Sequence, residues 1–168
     1  MRVFQEKQRF NQWWVQLINI GLFVFLLFCL YKWFVSDESV DKVSPDDLTG
    51  QLIVILCVVP VIIMLLVLKL KTVIDERGIS YQFFPIHRNS KLVAWSDLEE
   101  CYTREYKPIS EYGGWGYRLT FGGINALNVK GNKGIQLKFK SGKKLLIGTQ
   151  NPKDAQVVIN RYFKNERI

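Results

Sequence analysis

Two long apolar runs, separated by a short polar segment, dominate the pattern of the first seventy residues. The first run covers residues 13–35 with one charged residue, Lys32, near its end, and the second covers residues 52–68 with none. An α-helix rises about 1.5 Å per residue, so about 20 residues cross a hydrocarbon core of about 30 Å. The pattern therefore predicts two transmembrane helices, at about residues 13–35 and 51–70, with a kink at Pro60 in the second.

Aromatic residues mark both ends of the first run. Trp13 and Trp14 lie at its start, and Tyr31 and Trp33 lie near its end. Tyrosine and tryptophan concentrate where a membrane meets water, so we predict that these four residues lie at the membrane interfaces. The run is longer than the apolar part of a signal peptide and has bulky residues where cleavage needs small ones, which predicts a retained anchor.

Basic residues lie at the outer ends of the two apolar runs, before the first and after the second. Arg2, Lys7 and Arg9 precede the first run, and Lys69 and Lys71 follow the second, whereas the connecting loop holds five acidic residues and one lysine. Positively charged flanks favour the cytoplasmic side. We therefore predict a multi-pass protein of the inner (plasma) membrane with both termini in the cytoplasm and the acidic loop outside.

The remaining hundred residues alternate with a period of two, interrupted by turn residues at short intervals. In "IQLKFK", apolar residues occupy the odd positions from Ile135 to Phe139, and polar residues occupy the even positions from Gln136 to Lys140. Such alternation is typical of a strand with one face in a core and the other in water. With hairpin turns at residues 131–134 and 141–142, the pattern predicts about seven short strands.

The last segment changes to a helical period. Asn151 is a suitable N-cap and Pro152 suits the first helical turn. The apolar residues that follow share one helical face: Ala155, Val158, Ile159, Tyr162 and Phe163. That face needs a partner, and a curled sheet or partly open barrel supplies one. We predict an α+β membrane protein in which residues 1–70 form an N-terminal segment and a two-helix hairpin, and residues 71–168 form a cytoplasmic β-domain.

Several segments of this second domain resemble a known family. "TVIDERGISYQF", "VAWSDLEECY", "EYGGWGYR", "NVKGNKGIQL" and "LIGTQNP" are similar to stretches of the bacterial pleckstrin-homology-like (PH-like) domains found on small two-helix membrane proteins of unknown function. The resemblance covers about residues 71–167. It implies an antiparallel barrel of about seven strands capped by a C-terminal helix, and it implies no activity.

Charge and cysteine content narrow the classes of partner. From Lys69 onward the chain carries 18 Lys and Arg residues against 9 Asp and Glu residues. An anionic leaflet attracts such a domain, which accounts for the charge without nucleic acid, and a charge-biased soluble surface is the alternative. Cys29, Cys57 and Cys101 are spaced too widely for a metal or disulfide motif, so we predict buried, reduced thiols and neither metal nor cofactor.

The glycine-rich stretch "EYGGWGYR" contains the first group of candidate binding residues. Its backbone N–H groups and Arg118 could hold an anion, and Glu111, Tyr112 and Trp115 are further candidates for ligand contact. A phosphate loop leads into a helix, however, whereas this stretch leads into the strand-like "RLTF". In the structural alternative, the glycines allow a bulge or a close strand crossing, and Glu111 pairs with Arg118.

A basic hairpin, "KFKSGKK", contains the second group of candidates: Lys138, Lys140, Lys143 and Lys144. These lysines either contact phosphate groups or form a solvated turn. His87 is the only histidine and is predicted to be a solvated loop residue. The acidic residues of the domain form no pair with a perturbing environment in the sequence, so we predict that the protein is not an enzyme.

Together these features predict a membrane-anchored PH-like interaction or scaffold module at the cytoplasmic face, with the lipid bilayer and a protein partner as its contacts. A groove beside the last helix is one place for that partner. Alternatives stay open: recognition of anionic lipid headgroups, and service as an accessory subunit of a transporter or envelope complex through helix–helix contacts. Homo-oligomerisation also stays open, whereas nucleic-acid binding is not predicted.

Overall fold

A computed structural model describes residues 3–119 and 124–163. The described chain is a mixture of helices and strands that divides into two compact units. Phe10–Val67 form one unit, and the residues on either side of that range form the other. The sequence analysis placed a boundary near residue 70 and grouped residues 1–9 with the helices.

The first unit contains two long helices, α1 (Trp13–Phe34) and α2 (Leu48–Val67). Each is long and apolar enough to cross a membrane, as predicted. The second helix begins earlier than expected because the Asp47 side chain accepts a hydrogen bond from the Gly50 N–H at 3.0 Å, which satisfies a donor of the first turn. It also ends earlier, because Leu70 is a buried strand residue.

The aromatic residues at the ends of α1 do not share one environment. Trp13, Trp14 and Tyr31 are exposed, as residues at a membrane interface would be. Trp33, predicted with them, is buried instead, and its indole N–H donates to the Val43 carbonyl at 3.3 Å. The loop between the helices thus supplies the polar partner that a membrane interface would otherwise have supplied.

Four antiparallel strands form the first sheet of the second unit: β1 (Phe4–Arg9), β2 (Lys69–Asp75), β3 (Gly78–Phe84) and β4 (Lys91–Ala94), in that order. The sequence did not predict β1, whose residues were assigned to the N-terminal segment before the first helix. Its alternate residues are buried, beginning with Phe4. This period-two burial is the reason that the segment forms an edge strand.

Five strands form the second sheet: β5 (Leu98–Glu105), β6 (Gly116–Leu119), β7 (Ile124–Asn128), β8 (Lys133–Phe139) and β9 (Lys144–Gly148). Their order is β5-β8-β9-β7-β6, and only the β7–β9 pair is parallel. Within the described residues the strands thus form two sheets and no closed barrel. The hairpin expected at residues 131–134 is also wrong, because β9 lies between β7 and β8 in the sheet. The hairpin expected at residues 141–142 is present, since β8 and β9 pair on either side of it.

The C-terminal helix α4 (Pro152–Phe163) packs against both sheets. Of the predicted apolar face, Ala155, Val158, Ile159 and Phe163 are buried, whereas Tyr162 is only half-buried. The ring of Phe163 lies 5.8 Å from that of Trp95, which belongs to the 3-10 turn Trp95–Asp97 and is also buried. The helix therefore completes the core.

Side chains of β1 tie the first sheet to the second. The buried Glu6 carboxylate accepts hydrogen bonds from the Thr149 hydroxyl at 2.6 Å and the Gln150 N–H at 2.8 Å. Gln8 donates to the Gly148 carbonyl at 2.7 Å. We call these contacts the β1 clasp. Because they lie between β1 and the end of β9, the segment before α1 is a structural part of the β-unit.

Candidate functional site

The two faces of the five-stranded sheet have different surroundings. Register pairs Cys101 of β5 with Leu137 of β8, and Leu137 in turn with Leu145 of β9. All three side chains are buried on the face that contacts α4. Successive residues of a strand point to opposite faces. Tyr102 and Lys138 therefore lie on the other face, which we call the outer face.

A short helix, α3 (Pro108–Tyr112), covers part of the outer face. Tyr112 packs there with Tyr106, Ala126 and Leu146 in a buried cluster. The helix was not predicted, although its end signals are present in the sequence. Pro108 begins it, and Gly113 ends it in the left-handed conformation with φ 69°.

Beside α3 the outer face forms an open groove of about 520 Å³. Its lining is polar and aromatic, with three cations and one carboxylate: Tyr102, Arg104, Glu111, Tyr112, Gln136, Lys138 and Lys144. Strands β5, β8 and β9 supply five of these side chains, and α3 supplies two. The groove is therefore built on regular elements.

Arg104 is held in place by several groove residues. Its guanidinium donates to the Glu111 carboxylate at 2.7 Å, to the Tyr112 hydroxyl at 3.1 Å and to the Gln136 side-chain oxygen at 3.0 Å. The Glu111 carboxylate also accepts the Lys107 N–H at 2.7 Å. The hydrogen bond from Arg104 lowers the pKa of Glu111, and the same bond raises the pKa of Arg104. Both groups are therefore charged at neutral pH.

The other two cations of the groove differ in their partners. The Lys138 ammonium lies 2.7 Å from a carboxylate oxygen of Glu100, and this hydrogen bond raises the pKa of Lys138. It also lies 5.9 Å from the centre of the Tyr102 ring. Lys144 is exposed and forms no ion pair with any residue that the structure describes. It is the cation that a ligand can reach without breaking an existing pair.

The structure separates the predicted site residues into two sets. Glu111, Tyr112, Lys138 and Lys144 all line the groove. The other four do not line it. Trp115 lies just before β6 and Arg118 lies within β6, whereas Lys140 and Lys143 lie in the exposed β8–β9 turn. Two separate sequence motifs thus contribute to one site.

The expected Glu111–Arg118 pair is wrong. Glu111 pairs with Arg104, and Arg118 instead donates to the Trp115 carbonyl at 3.1 Å. The choice depends on register, since Arg104 reaches α3 from the face of β5 that the helix covers. No local pattern in "EYGGWGYR" contains that information.

The glycines between α3 and β6 have structural roles. The N–H groups of Gly113 and Gly114 donate to carbonyls of α3, and the Gly116 N–H donates to the Asn128 side chain at 2.7 Å. The Trp115 indole donates to the Gly131 carbonyl at 2.9 Å. Because these donors are already used, the structure favours the structural interpretation of this stretch over an anion-binding loop.

Sequence reasoning missed three groove residues, Tyr102, Arg104 and Gln136. The alternation in "ECYTREY" does place Tyr102 and Arg104 on one face of a strand. Gln136 lies beside them because it is the cross-strand partner of Tyr102. That pairing joins residues far apart in the chain, and only the sheet topology reveals it.

His87 is buried, which contradicts the predicted solvated loop residue. Its Nδ1 accepts the Phe83 N–H at 3.3 Å, and its ring packs at 5.7 Å from Tyr81 and 5.4 Å from Tyr117. Burial lowers the pKa of His87, and nearby Lys91 lowers it further. Across residues 3–119 and 124–163, no group of three or more His, Cys, Asp or Glu residues is placed to hold a metal ion.

The cysteines also differ from one another. Cys29 and Cys101 are buried, as predicted, but Cys57 is exposed on α2. Burial raises the pKa of Cys101 to about 12. This thiol is therefore protonated at neutral pH and is a structural residue of the sheet.

A second groove, of about 420 Å³, lies beside α4, where the sequence placed one possible partner site. Its lining is largely apolar or uncharged: Val3, Phe4, Gln5, Asn151, Asp154, Val157 and Val158. Asp154 is the one charged side chain among these lining residues. This groove lacks the cations that distinguish the groove on the outer face.

No family model matches the sequence, and no curated protein matches it significantly. The resemblance to PH-like domains therefore stays a prediction. The outer-face groove and the two apolar helices are the observations from which a function can be inferred.

Proposed function

We propose that this protein is a membrane-anchored interaction module. In this proposal α1 and α2 cross the inner membrane, both termini lie in the cytoplasm, and the β-unit is a PH-like domain that binds a protein partner. The basic residues flanking the helices support the orientation. Binding, with no chemical step on a substrate, is the proposed activity.

The outer-face groove is the observation that carries the proposal. Its volume, about 520 Å³, falls within the range of about 300–1,000 Å³ found for ligand sites, which suits a few side chains of a bound segment. Arg104 is fixed by Glu111 and Tyr112 and needs little reordering on binding. A preorganised groove of this kind favours a specific partner.

The charges of the groove indicate which segment would fit. Lys144 is exposed at one side, and Tyr102 provides an aromatic wall with the Lys138 ammonium near its ring. A carboxylate of the ligand would form a charge-assisted hydrogen bond with Lys144. We therefore propose that the partner presents an acidic segment with an apolar or aromatic neighbour.

Photo-crosslinking of the full chain in cells tests this function. A photoreactive amino acid is placed at Tyr102 in the groove, at Leu92 on exposed β4, or at Leu56 on exposed α2. We expect a discrete protein adduct from position 102 and none from position 92, which serves as the surface control. Equal adduct patterns at positions 102 and 92 would contradict a groove-specific partner.

The same experiment separates the accessory-subunit alternative. An apolar helix that docks on another membrane protein would give its adduct through Leu56, which is exposed on α2. Adducts confined to position 56 would favour a membrane complex and would contradict the groove as the partner-binding site. Adducts at both positions would indicate a partner that is itself a membrane protein.

A further inference from the structure

A group of basic side chains covers one face of the β1–β2 ladder. The buried residues of β1 alternate with Lys7 and Arg9, which project from the exposed face. Antiparallel register pairs Lys7 with Lys71 and Arg9 with Lys69. Side chains directly opposite each other have Cβ atoms about 4.5–5.5 Å apart. We call these four residues the basic ladder face.

No carboxylate of the described residues forms an ion pair with this face. Each ion pair in residues 3–119 and 124–163 involves other side chains. On β3 the cross-strand neighbours are Gln82, opposite Lys71, and Phe84, opposite Lys69. The Lys69 ammonium lies 4.6 Å from the centre of the Phe84 ring, a contact that offsets only part of the repulsion. Like charges placed directly opposite destabilise a ladder, so the arrangement indicates an external anion.

The position of these residues along the chain indicates where the anion comes from. Three residues separate the end of β1 from α1, and one residue separates the end of α2 from β2. Arg9 and Lys69 are the last pair of the ladder, next to both connections. If the two helices span the bilayer, as the proposed function requires, the short connections limit the distance between the Arg9–Lys69 end of the ladder and the headgroup layer.

We propose that the basic ladder face binds the phosphate groups of anionic phospholipids in the adjoining leaflet. Lysine and arginine form charge-assisted hydrogen bonds with phosphate oxygens, and an anionic leaflet attracts basic residues near its surface. The ladder fixes the two cation pairs about 7 Å apart along the strands. Headgroup binding thereby removes the repulsion within β1–β2 and holds the β-unit at the membrane independently of the groove.

Hydrogen exchange of the full chain in lipid nanodiscs tests this assignment. One set of nanodiscs contains phosphatidylcholine alone, and the other also contains phosphatidylglycerol. For the wild type we expect amide exchange in β1 and β2 to be roughly tenfold slower with phosphatidylglycerol, because the anion stabilises the ladder. In phosphatidylcholine alone, the variant Lys7→Gln/Arg9→Gln/Lys69→Gln/Lys71→Gln is expected to exchange more slowly than the wild type, because its repulsion is gone.

Matched variants make the test specific. The quadruple variant is expected to lose the response to phosphatidylglycerol, whereas Lys140→Gln/Lys143→Gln, in the exposed β8–β9 turn, is expected to keep it. Equal exchange of the wild type in both nanodiscs would overturn the proposal, as would loss of the response in the turn variant. Inorganic phosphate that reproduces the response in phosphatidylcholine nanodiscs would overturn the lipid as the ligand.

Exchange in β8 monitors the fold of each variant. If the quadruple variant loses protection in β8, the single variant Lys71→Gln is used in its place. A smaller slowing of β1 and β2 exchange by phosphatidylglycerol in this variant supports the proposal, and an unchanged slowing overturns it. Failure of the proposed function would look different. A wild-type chain that does not co-fractionate with nanodiscs contradicts membrane anchoring, whereas loss of the position-102 adduct leaves the lipid response intact.

Discussion

The two faces of the five-stranded sheet are made by the same strands but have different tasks. Cys101 and Leu137 point into the core beneath α4, and both are buried. One residue further along each strand, Tyr102 and Lys138 point into an open groove of charges and aromatic rings. Alternation thus lets one segment contribute to stability through one face and to binding through the other.

The largest expected difference is the reactivity of thiols on the two faces. In a full chain carrying Cys29→Ala and Cys57→Ala, the alkylation rate of Cys101 measures the accessibility of the core face. Adding Tyr102→Cys introduces a second thiol, whose alkylation rate measures the accessibility of the groove. Burial raises the pKa of Cys101 to about 12 from an ordinary value of 9.0. Because each pKa unit lowers the thiolate fraction tenfold, alkylation near neutral pH should be about a thousandfold slower at 101 than at 102.

The alkylation rates are measured by mass spectrometry of the folded protein, and a denatured sample, in which both thiols react alike, is the control. Comparable rates in the folded protein would mean that the two faces are not distinct. A faster reaction at Cys101 would indicate that β5 is shifted by one residue, since such a shift exchanges the faces of a strand.

The next largest effect is the loss of core packing. Leu137 is fully buried on the α4 side of β8. Leu137→Ala is expected to lower the free energy of unfolding by about 2–5 kcal/mol, because it removes buried methyl groups and leaves a cavity. Native-state hydrogen exchange of β8 in the full chain measures it. Lys140→Ala, an exposed change near the end of the same strand, is the control, and an equal loss in both would contradict the assigned faces.

A smaller effect is expected when the β1 clasp is broken. Glu6→Ala leaves the Thr149 hydroxyl and the Gln150 N–H without their acceptor, which should cost about 2–3 kcal/mol. Glu6→Gln keeps one acceptor oxygen and should cost about 1 kcal/mol. Exchange of β1 amides gives both values, with Gln5→Ala on the exposed face of β1 as the control. Identical results for all three variants would show that the clasp contributes nothing to stability.

The smallest stability effect concerns pH and the groove. The hydrogen bond from Arg104 lowers the pKa of Glu111 in the folded state below its value in the unfolded chain. The contribution of this pair to the free energy of unfolding is therefore complete above the pKa that Glu111 has in the unfolded chain. It is lost as the pH falls through the lowered pKa of Glu111 in the folded state. Because the pair is partly exposed, we expect less than about 1 kcal/mol.

Exchange in β5 and α3, measured from neutral to acid pH, follows this contribution. Glu111→Gln removes the titrating group and should flatten that part of the pH dependence. A variant that keeps the full wild-type pH dependence would assign it to another group.

The parts of this fold that depend on local patterns were predictable. The apolar runs indicated α1 and α2, and Asn151 with Pro152 indicated the start of α4. Period-two alternation indicated the strands that follow α2 but did not reveal β1. In each case the signal lies in residues close in the chain, such as those of the first turn of a helix.

The parts that depend on distant pairing were not predictable. The parallel β7–β9 pair, the addition of β1 to β2, and the approach of Arg104 to Glu111 each depend on topology. The groove was therefore only partly recognised: its α3 and hairpin residues were identified, whereas Tyr102 and Arg104 of β5 and Gln136 of β8 were missed. The prediction that His87 is solvated was wrong because the rings that bury it belong to two different strands, β3 and β6.

The most direct test of the central claim compares two adjacent lysines. Lys144 lines the groove and Lys143 does not, although both are exposed. With the photoreactive amino acid at position 102, we expect Lys144→Glu to reduce the protein adduct at least about tenfold, because it places a negative charge where an acidic segment binds. Lys143→Glu is expected to leave the adduct yield within about twofold of the parent, since its charge lies outside the groove and is screened by salt. Equal adduct yields for the two variants would contradict the claim that the outer-face groove binds the partner.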